Sequence, residues 1–261
     1  MHAWSPLKGV LTTAWTYNGQ VPGPVIRVTE GDRVRITLVN KLPEPTTIHW
    51  HGLHVPNAMD GVPGLTQDAV QPGESYTYEF VAGHPGTYMY HSHYDDMKQI
   101  GSGMYGAFII DPKDPMSEPH YDHDYTMMIG GFQVNAADEE KDYWTLNGRS
   151  YPDTPPIEAK KGETVRIRLL NIDTTDVHTM HLHGMDFRVV AKDGHPVPQP
   201  QTMNTVLIGP GETYDIAFTA ESAGTWMFHC HILDHTMNGG DLARMAHGEM
   251  GGLITLIKIT E

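Results

Sequence analysis

The chain is a repeat of itself, and no other feature limits its fold so strongly. In the first half, Asn18-Gly19 is followed by Glu30-Gly31-Asp32 and an alternating run through Val34, Ile36 and Leu38. Then come His49-Trp50-His51-Gly52, Gln71-Pro72-Gly73-Glu74 and Gly86-Thr87-Tyr88-Met89-Tyr90-His91-Ser92-His93. The second half repeats the order: Asn147-Gly148, Lys161-Gly162-Glu163, Val165, Ile167 and Leu169, His181-Leu182-His183-Gly184, Gly209-Pro210-Gly211-Glu212, and Gly224-Thr225-Trp226-Met227-Phe228-His229-Cys230-His231. Matching landmarks lie 129 to 138 positions apart, so each copy is the size of a domain.

Within each copy the pattern is period-two alternation, β-branched residues and Gly/Pro turns. Ser75–Val81 and Thr213–Thr219 read as half-buried strands, Gly106–Ile110 and Leu253–Ile257 as buried closing strands. No stretch carries a long helical period. The expectation is an all-β chain of two Greek-key β-sandwiches or barrels, residues 1–112 and 113–261, joined near Asp111-Pro112-Lys113-Asp114-Pro115, where two prolines interrupt a strand.

Composition narrows the function. With 39% hydrophobic residues, 27 Gly and 19 Pro in 261 residues, the chain reads as folded and turn-rich. No apolar run is long enough to span a bilayer, and Met1-His2-Ala3-Trp4 lacks the basic-then-apolar order of a signal peptide. A net charge of −15 argues against a nucleic-acid partner, since no basic patch stands out to displace phosphate counterions. Cys230 is the only cysteine, which rules out an internal disulfide.

The chemistry lies in the histidines. Of 17, eight form four His-x-His pairs at matching places in the two copies: His49/His51, His91/His93, His181/His183 and His229/His231. Period-two spacing on a strand puts both rings of a pair on one face. Neutral imidazole suits Cu, Zn, Fe and Ni, and eight converging rings suit a polynuclear centre better than one ion. Isolated histidines such as His2, His84, His120, His123 and His195 read as surface groups. The second copy adds His178 and His235, which with Cys230 make a His2Cys set, the donors of a blue copper site. Alignment of the halves puts Thr46 opposite His178, Ser92 opposite Cys230 and Met97 opposite His235, and none of the three can rebuild a thiolate site.

Thr225-Trp226-Met227-Phe228-His229-Cys230-His231-Ile232 with His235, and His178-x-x-His181-x-His183-Gly184, resemble the multicopper oxidases, and the small two-domain laccases in particular. The resemblance implies two cupredoxin-like domains and four coppers per chain: one type 1, one type 2 and two type 3. By it, His178, Cys230 and His235 hold type 1 copper, His49 and His181 hold type 2, and His51, His91, His93, His183, His229 and His231 hold the type 3 pair. It also implies small reductants such as phenols and aromatic amines, O2 as acceptor, and a homotrimer with trinuclear clusters between subunits. A periplasmic or secreted location follows from it as well. Asp60, just after the first pair, matches the family's acid beside the trinuclear centre, and Asp60-Gly61 also reads as a plain turn. The acid that relatives place after His-Cys-His-Ile is replaced by Leu233. The axial offset lands on Gly240, so registration by the last strand makes Leu253 the axial neighbour, with Met237, Met245 and Met250 as rivals. Met237, Met245, His247 and Met250 also raise a cuprous oxidase reading, since thioethers suit Cu(I). Copper nitrite reductase, the other alternative, would need a thiolate where Ser92 stands.

Overall fold

A computed structural model describes residues 1–136, 139–240 and 248–261, with the side chains of 135–141 excepted. The fold is almost entirely β. A short hairpin of β1 (His2–Trp4) and β2 (Thr12–Ala14) precedes the first half. There, β3 (Ile26–Thr29), β5 (His49–His51), β7 (Gly86–His91) and β8 (Tyr105–Asp111) form a sheet in the order β3-β8-β7-β5. The antiparallel pair β4 (Arg33–Val39) and β6 (Ser75–Val81) forms the second layer. One helix, α1 (Asp96–Gly101), follows β7. Trp50, Tyr78, Phe80, Tyr90 and Phe108 fill the space between the layers. Trp50 and Phe108 are fully buried, and each such side chain contributes about 1.5–3 kcal/mol.

The second half is larger. β9 (His123–Ala136), β10 (Glu139–Leu146), β12 (Thr164–Asn171), β14 (Phe187–Lys192), β15 (His195–Met203) and β17 (Thr213–Thr219) form one sheet in the order β10-β9-β12-β17-β14-β15. β11 (Ile157–Lys160), β13 (His178–Leu182), β16 (Thr205–Ile208), β18 (Gly224–Cys230) and β19 (Ile254–Thr260) form the other, ordered β11-β19-β18-β13-β16. Ile167, Leu169, Met180, Phe187, Ile216, Phe228 and Ile257 pack between them. The closing strand begins at Ile254, because Leu253 instead donates its N–H to the His235 carbonyl at 2.9 Å and accepts from the Cys230 N–H at 3.0 Å.

The halves share a third cluster, in which Met89, Ile100, Tyr105 and Ala107 meet Met128, Phe132, Leu170 and Ile172. Beside it, Arg168 bonds Asp124 and Asp215 from the second half and the Thr87 hydroxyl from the first. Burial works against the Asp124 charge, but the Arg168 and Arg166 guanidiniums outweigh it and hold the carboxyl down at about 2. Asp215 is almost wholly buried and its acidity is shifted up by desolvation, which Arg168 only partly offsets.

Candidate metal centre

The repeat places two histidine quartets in the same strand register. On β5, Trp50 enters the core, so His49 and His51 share the opposite face. His49 pairs with His91 across β5 and β7, as His181 pairs with His229 across β13 and β18. In the first quartet the His49 ring lies 5.8 Å from His51, 5.3 Å from His91 and 5.4 Å from His93. In the second, His181 lies 4.9 Å from His183, 5.7 Å from His229 and 5.9 Å from His231.

Backbone carbonyls select the tautomers. His49 Nδ1 donates to the Asp60 carbonyl at 2.8 Å, and His181 Nδ1 donates to the Asn204 carbonyl at 2.8 Å. His91 donates from Nδ1 to Ser92 O and His229 from Nδ1 to Cys230 O, each at 2.7 Å. A carbonyl only accepts, so these four rings carry hydrogen on Nδ1 and keep Nε2 free as a lone-pair donor. His51 is reversed: its Nδ1 lies 3.3 Å from His91 Nε2, and the Gly211 backbone takes its hydrogen bond. A Cβ on Gly211 would sit 3.1 Å from His51 Cε1, at a φ of +78° that favours glycine. A turn of the second half therefore seats a histidine of the first. Burial pushes His91 down to about 3 and lowers His51, His183 and His229, so these rings are neutral ligands at neutral pH.

Asp60 meets His49 twice, through its carbonyl and through a carboxylate oxygen 3.5 Å from Nδ1. Gly61 makes this approach possible, because any Cβ there would collide with the Ile48 carbonyl at 1.9 Å. Asp60-Gly61 is thus both a turn and a contact to the site. Among the described residues, no imidazole of one quartet touches an imidazole of the other. The second quartet opens onto a cavity of about 470 Å³ shared by His181, His183, Asp186, Asn204 and Glu221.

A second centre forms where β13 begins and β18 ends. His178, Cys230 and His235 converge, with Cys230 Sγ 4.0 Å and 3.6 Å from the two Nδ1 atoms, which lie 3.0 Å apart. Imidazole and thiolate bonds of about 2.0–2.3 Å to one ion would set donors roughly 3.5 Å apart, so this trio is already shaped for a metal. Burial lowers His178 to about 3, lowers His235, and pushes the Cys230 thiol up. Two neutral imidazoles and one thiolate suit copper. Leu253 is fully buried and its backbone links Cys230 to His235. Met237 is buried and Met250 exposed, while Met245 and His247 lie outside the described residues.

The matching position in the first half corrects the alignment. Thr46 and Ser92 stand where expected, 3.2 Å apart, but Met97 is 74% exposed. Gln99 fills the place instead: its Oε1 accepts from both hydroxyls and its Nε2 donates to the Pro45 carbonyl. Counting five residues from Ser92 fails because α1 follows there, whereas a short 3-10 turn, Leu233–Thr236, carries His235. Gln99, Gly211 and the Asn204 carbonyl are the site residues that sequence reasoning missed. The first two lie outside any His-x-His pair, and the third acts through its backbone.

Two family models described as multicopper oxidase match the chain, over residues 1–115 and 128–243. The crystal structure of the blue copper oxidase from Nitrosomonas europaea is 37% identical, with a TM-score of 0.85 covering 94% of this chain and 79% of that one. The multicopper oxidase mgLAC is also 37% identical, with a TM-score of 0.88 over 98% of this chain and 83% of that one. A copper resistance protein A homolog of Pseudomonas syringae pv. tomato is 29% identical over 88% of this chain and 48% of its own length. The chain spans 29% to 49% of the length of such curated relatives.

Proposed function

The chain belongs to the multicopper oxidase family, and we propose that it is a laccase-like member that oxidises small phenols or aromatic amines one electron at a time and reduces O2 to water. The observation that carries this reading is the paired register of the two quartets beside a single His2Cys trio. In this reading His178, Cys230 and His235 hold type 1 copper with Leu253 as a noncoordinating neighbour. His49 and His181 hold type 2 copper, and His51, His91, His93, His183, His229 and His231 hold the type 3 pair. Four bound coppers would supply the redox chemistry.

The chain's own residues supply geometry and routes. Cys230 sits between His229 and His231, and its carbonyl accepts the His229 Nδ1 hydrogen bond, so thiolate and quartet share one peptide and one hydrogen bond. Asp60 holds the His49 tautomer and sets a carboxylate beside it for proton exchange. Residues 1–112 and 113–261 act as two domains, each contributing four histidines. The clusters assemble between subunits of a homotrimer, a reading supported by the lack of contact between quartets among the described residues. A head-to-tail ring satisfies both halves at once.

Cuprous oxidation is a second reading, favoured by the likeness to a copper resistance protein A homolog. Nitrite reduction is disfavoured by Ser92, which stands where a first-half thiolate would be needed.

The experiment mixes two inactive proteins, one lacking His49 and His51, the other lacking His229 and His231, after unfolding and reassembly. Clusters between chains predict that verified mixed trimers regain O2 consumption with an aromatic reductant. No recovery would count against the intersubunit arrangement. An intact, fully copper-loaded protein that consumes no O2 would overturn the oxidase reading itself.

A further inference from the structure

The type 1 trio is sealed from solvent: His178 and Cys230 are 0% exposed and His235 is 3% exposed. An electron donor in solution must therefore meet some other group first. Trp144, on β10, packs against both imidazoles of the trio. Its indole lies against His235 with ring centroids 4.2 Å apart and planes 35° apart, and it meets His178 at 5.3 Å and 73°. Trp144, unlike the trio, is only partly buried, so the residue that touches both histidines keeps some contact with solvent.

The sequence makes room for this. Trp144 pairs with Gly131 on β9, and a Cβ on Gly131 would stand 3.3 Å from Trp144 Cε3, so the indole lies across the glycine. The segment carrying His235 is tied to the same strand, with the Gly239 N–H donating to the Asp142 carbonyl at 3.0 Å. Around the trio the charge is negative. Asp234, Asp176, Asp173 and Asp142 all act on His235, and Asp176 Oδ1 lies 4.0 Å from its Nε2.

We infer that Trp144 is the platform on which the electron donor docks, and that the aspartates around His235 select neutral or cationic electron-rich aromatics, such as aromatic amines, over aromatic anions. This rests on the oxidase reading above. An aromatic amine stacked on Trp144 loses one electron and becomes its radical cation. A cupric ion, which His178, Cys230 and His235 would hold, would take up that electron through the indole–imidazole contact and so balance the oxidation. The proton that the radical cation then sheds goes to water or to an aspartate. An indole face is the strongest aromatic partner for a cation, and an apolar aliphatic side chain in its place offers no such face.

The test uses copper-loaded protein and two redox-inert probes, phenyltrimethylammonium and benzenesulfonate, with binding measured by calorimetry. The cation binds the intact protein and benzenesulfonate does not. Trp144→Leu weakens cation binding on the order of tenfold, and Trp144→Phe restores most of it. With an aromatic diamine, kcat/KM follows the same order while the blue absorption of each variant stays intact. Should Trp144→Leu lose the blue band, Trp144→Phe, which keeps a ring over His235, carries the comparison with the intact protein. Unchanged cation binding in Trp144→Leu, or benzenesulfonate binding as tightly as the cation, would overturn the inference. Because the probes are not oxidised, that outcome stays separate from any failure of O2 reduction.

Discussion

The two halves hold the same place in the fold with opposite chemistry. Where the second half sets His178, Cys230 and His235 around a common point, the first sets Thr46, Ser92 and Gln99 in a closed knot of hydrogen bonds. One pocket is shaped for a metal, with the two Nδ1 atoms and the Cys230 sulfur turned toward one another. The other is saturated, since one amide oxygen takes both hydroxyl protons. The quartets nearby are kept in both halves with the same carbonyl anchors. The difference teaches that the strands of this fold can frame either a metal site or a closed polar cluster, provided the buried polar groups of the cluster satisfy one another.

The largest effect expected from breaking this asymmetry is at the thiolate. Cys230→Ser should abolish the intense blue absorption and O2 reduction with organic reductants, while the quartets still retain copper. Visible spectra and O2 electrode traces check this, and near-normal turnover would mean that electrons enter elsewhere. Next comes conversion of the first half. The triple variant Thr46→His, Ser92→Cys, Gln99→His should bind one additional copper and gain a second thiolate absorption band. The alignment-based triple with Met97→His should not, because that side chain points to solvent. Equal copper uptake by both triples would refute the structural pairing.

Smaller effects should follow from the knot and the seam. Gln99→Leu removes the shared acceptor of two buried hydroxyls, leaving them only longer contacts to each other and to the Thr47 and Tyr94 carbonyls, and should cost about 1–3 kcal/mol in denaturant unfolding of the metal-free protein. Its copper content should stay that of the intact protein. In the second half Asp124 is held at about 2 by Arg168 and Arg166, below its unfolded value of about 3.9. Its stabilising contribution, on the order of 2–3 kcal/mol, is therefore present above about pH 4 and lost as pH falls through about 2. Asp215, shifted the other way by burial, opposes part of this trend. Asp124→Asn should lower stability at pH 7 and flatten the acid limb between pH 4 and 2, read by thermal unfolding across pH.

Much of this arrangement was legible in the residues. The duplicated landmarks predicted two similar β units, and Ser75–Val81 and Thr213–Thr219 are strands as read, because alternation on a half-buried strand leaves a plain trace. His49 and His51 do share one face of β5, the other three pairs straddle a strand end, and His178, Cys230 and His235 do converge. What stayed hidden depends on the third dimension. Gln99 could not be found by counting from Ser92, since a helical turn changes the advance per residue. Nor could the seat that Gly211 gives His51, which is made by backbone from the opposite half. Trp144 lies 34 residues before His178 on a strand of the other sheet, and no local pattern links them.

The central claim is that two quartets and one His2Cys trio make one mononuclear and one trinuclear copper site for each chain. Metal analysis of fully loaded, active protein, combined with its visible spectrum, tests it most directly. The account predicts about four coppers per chain with one blue chromophore. About two coppers per chain in fully active protein would contradict it.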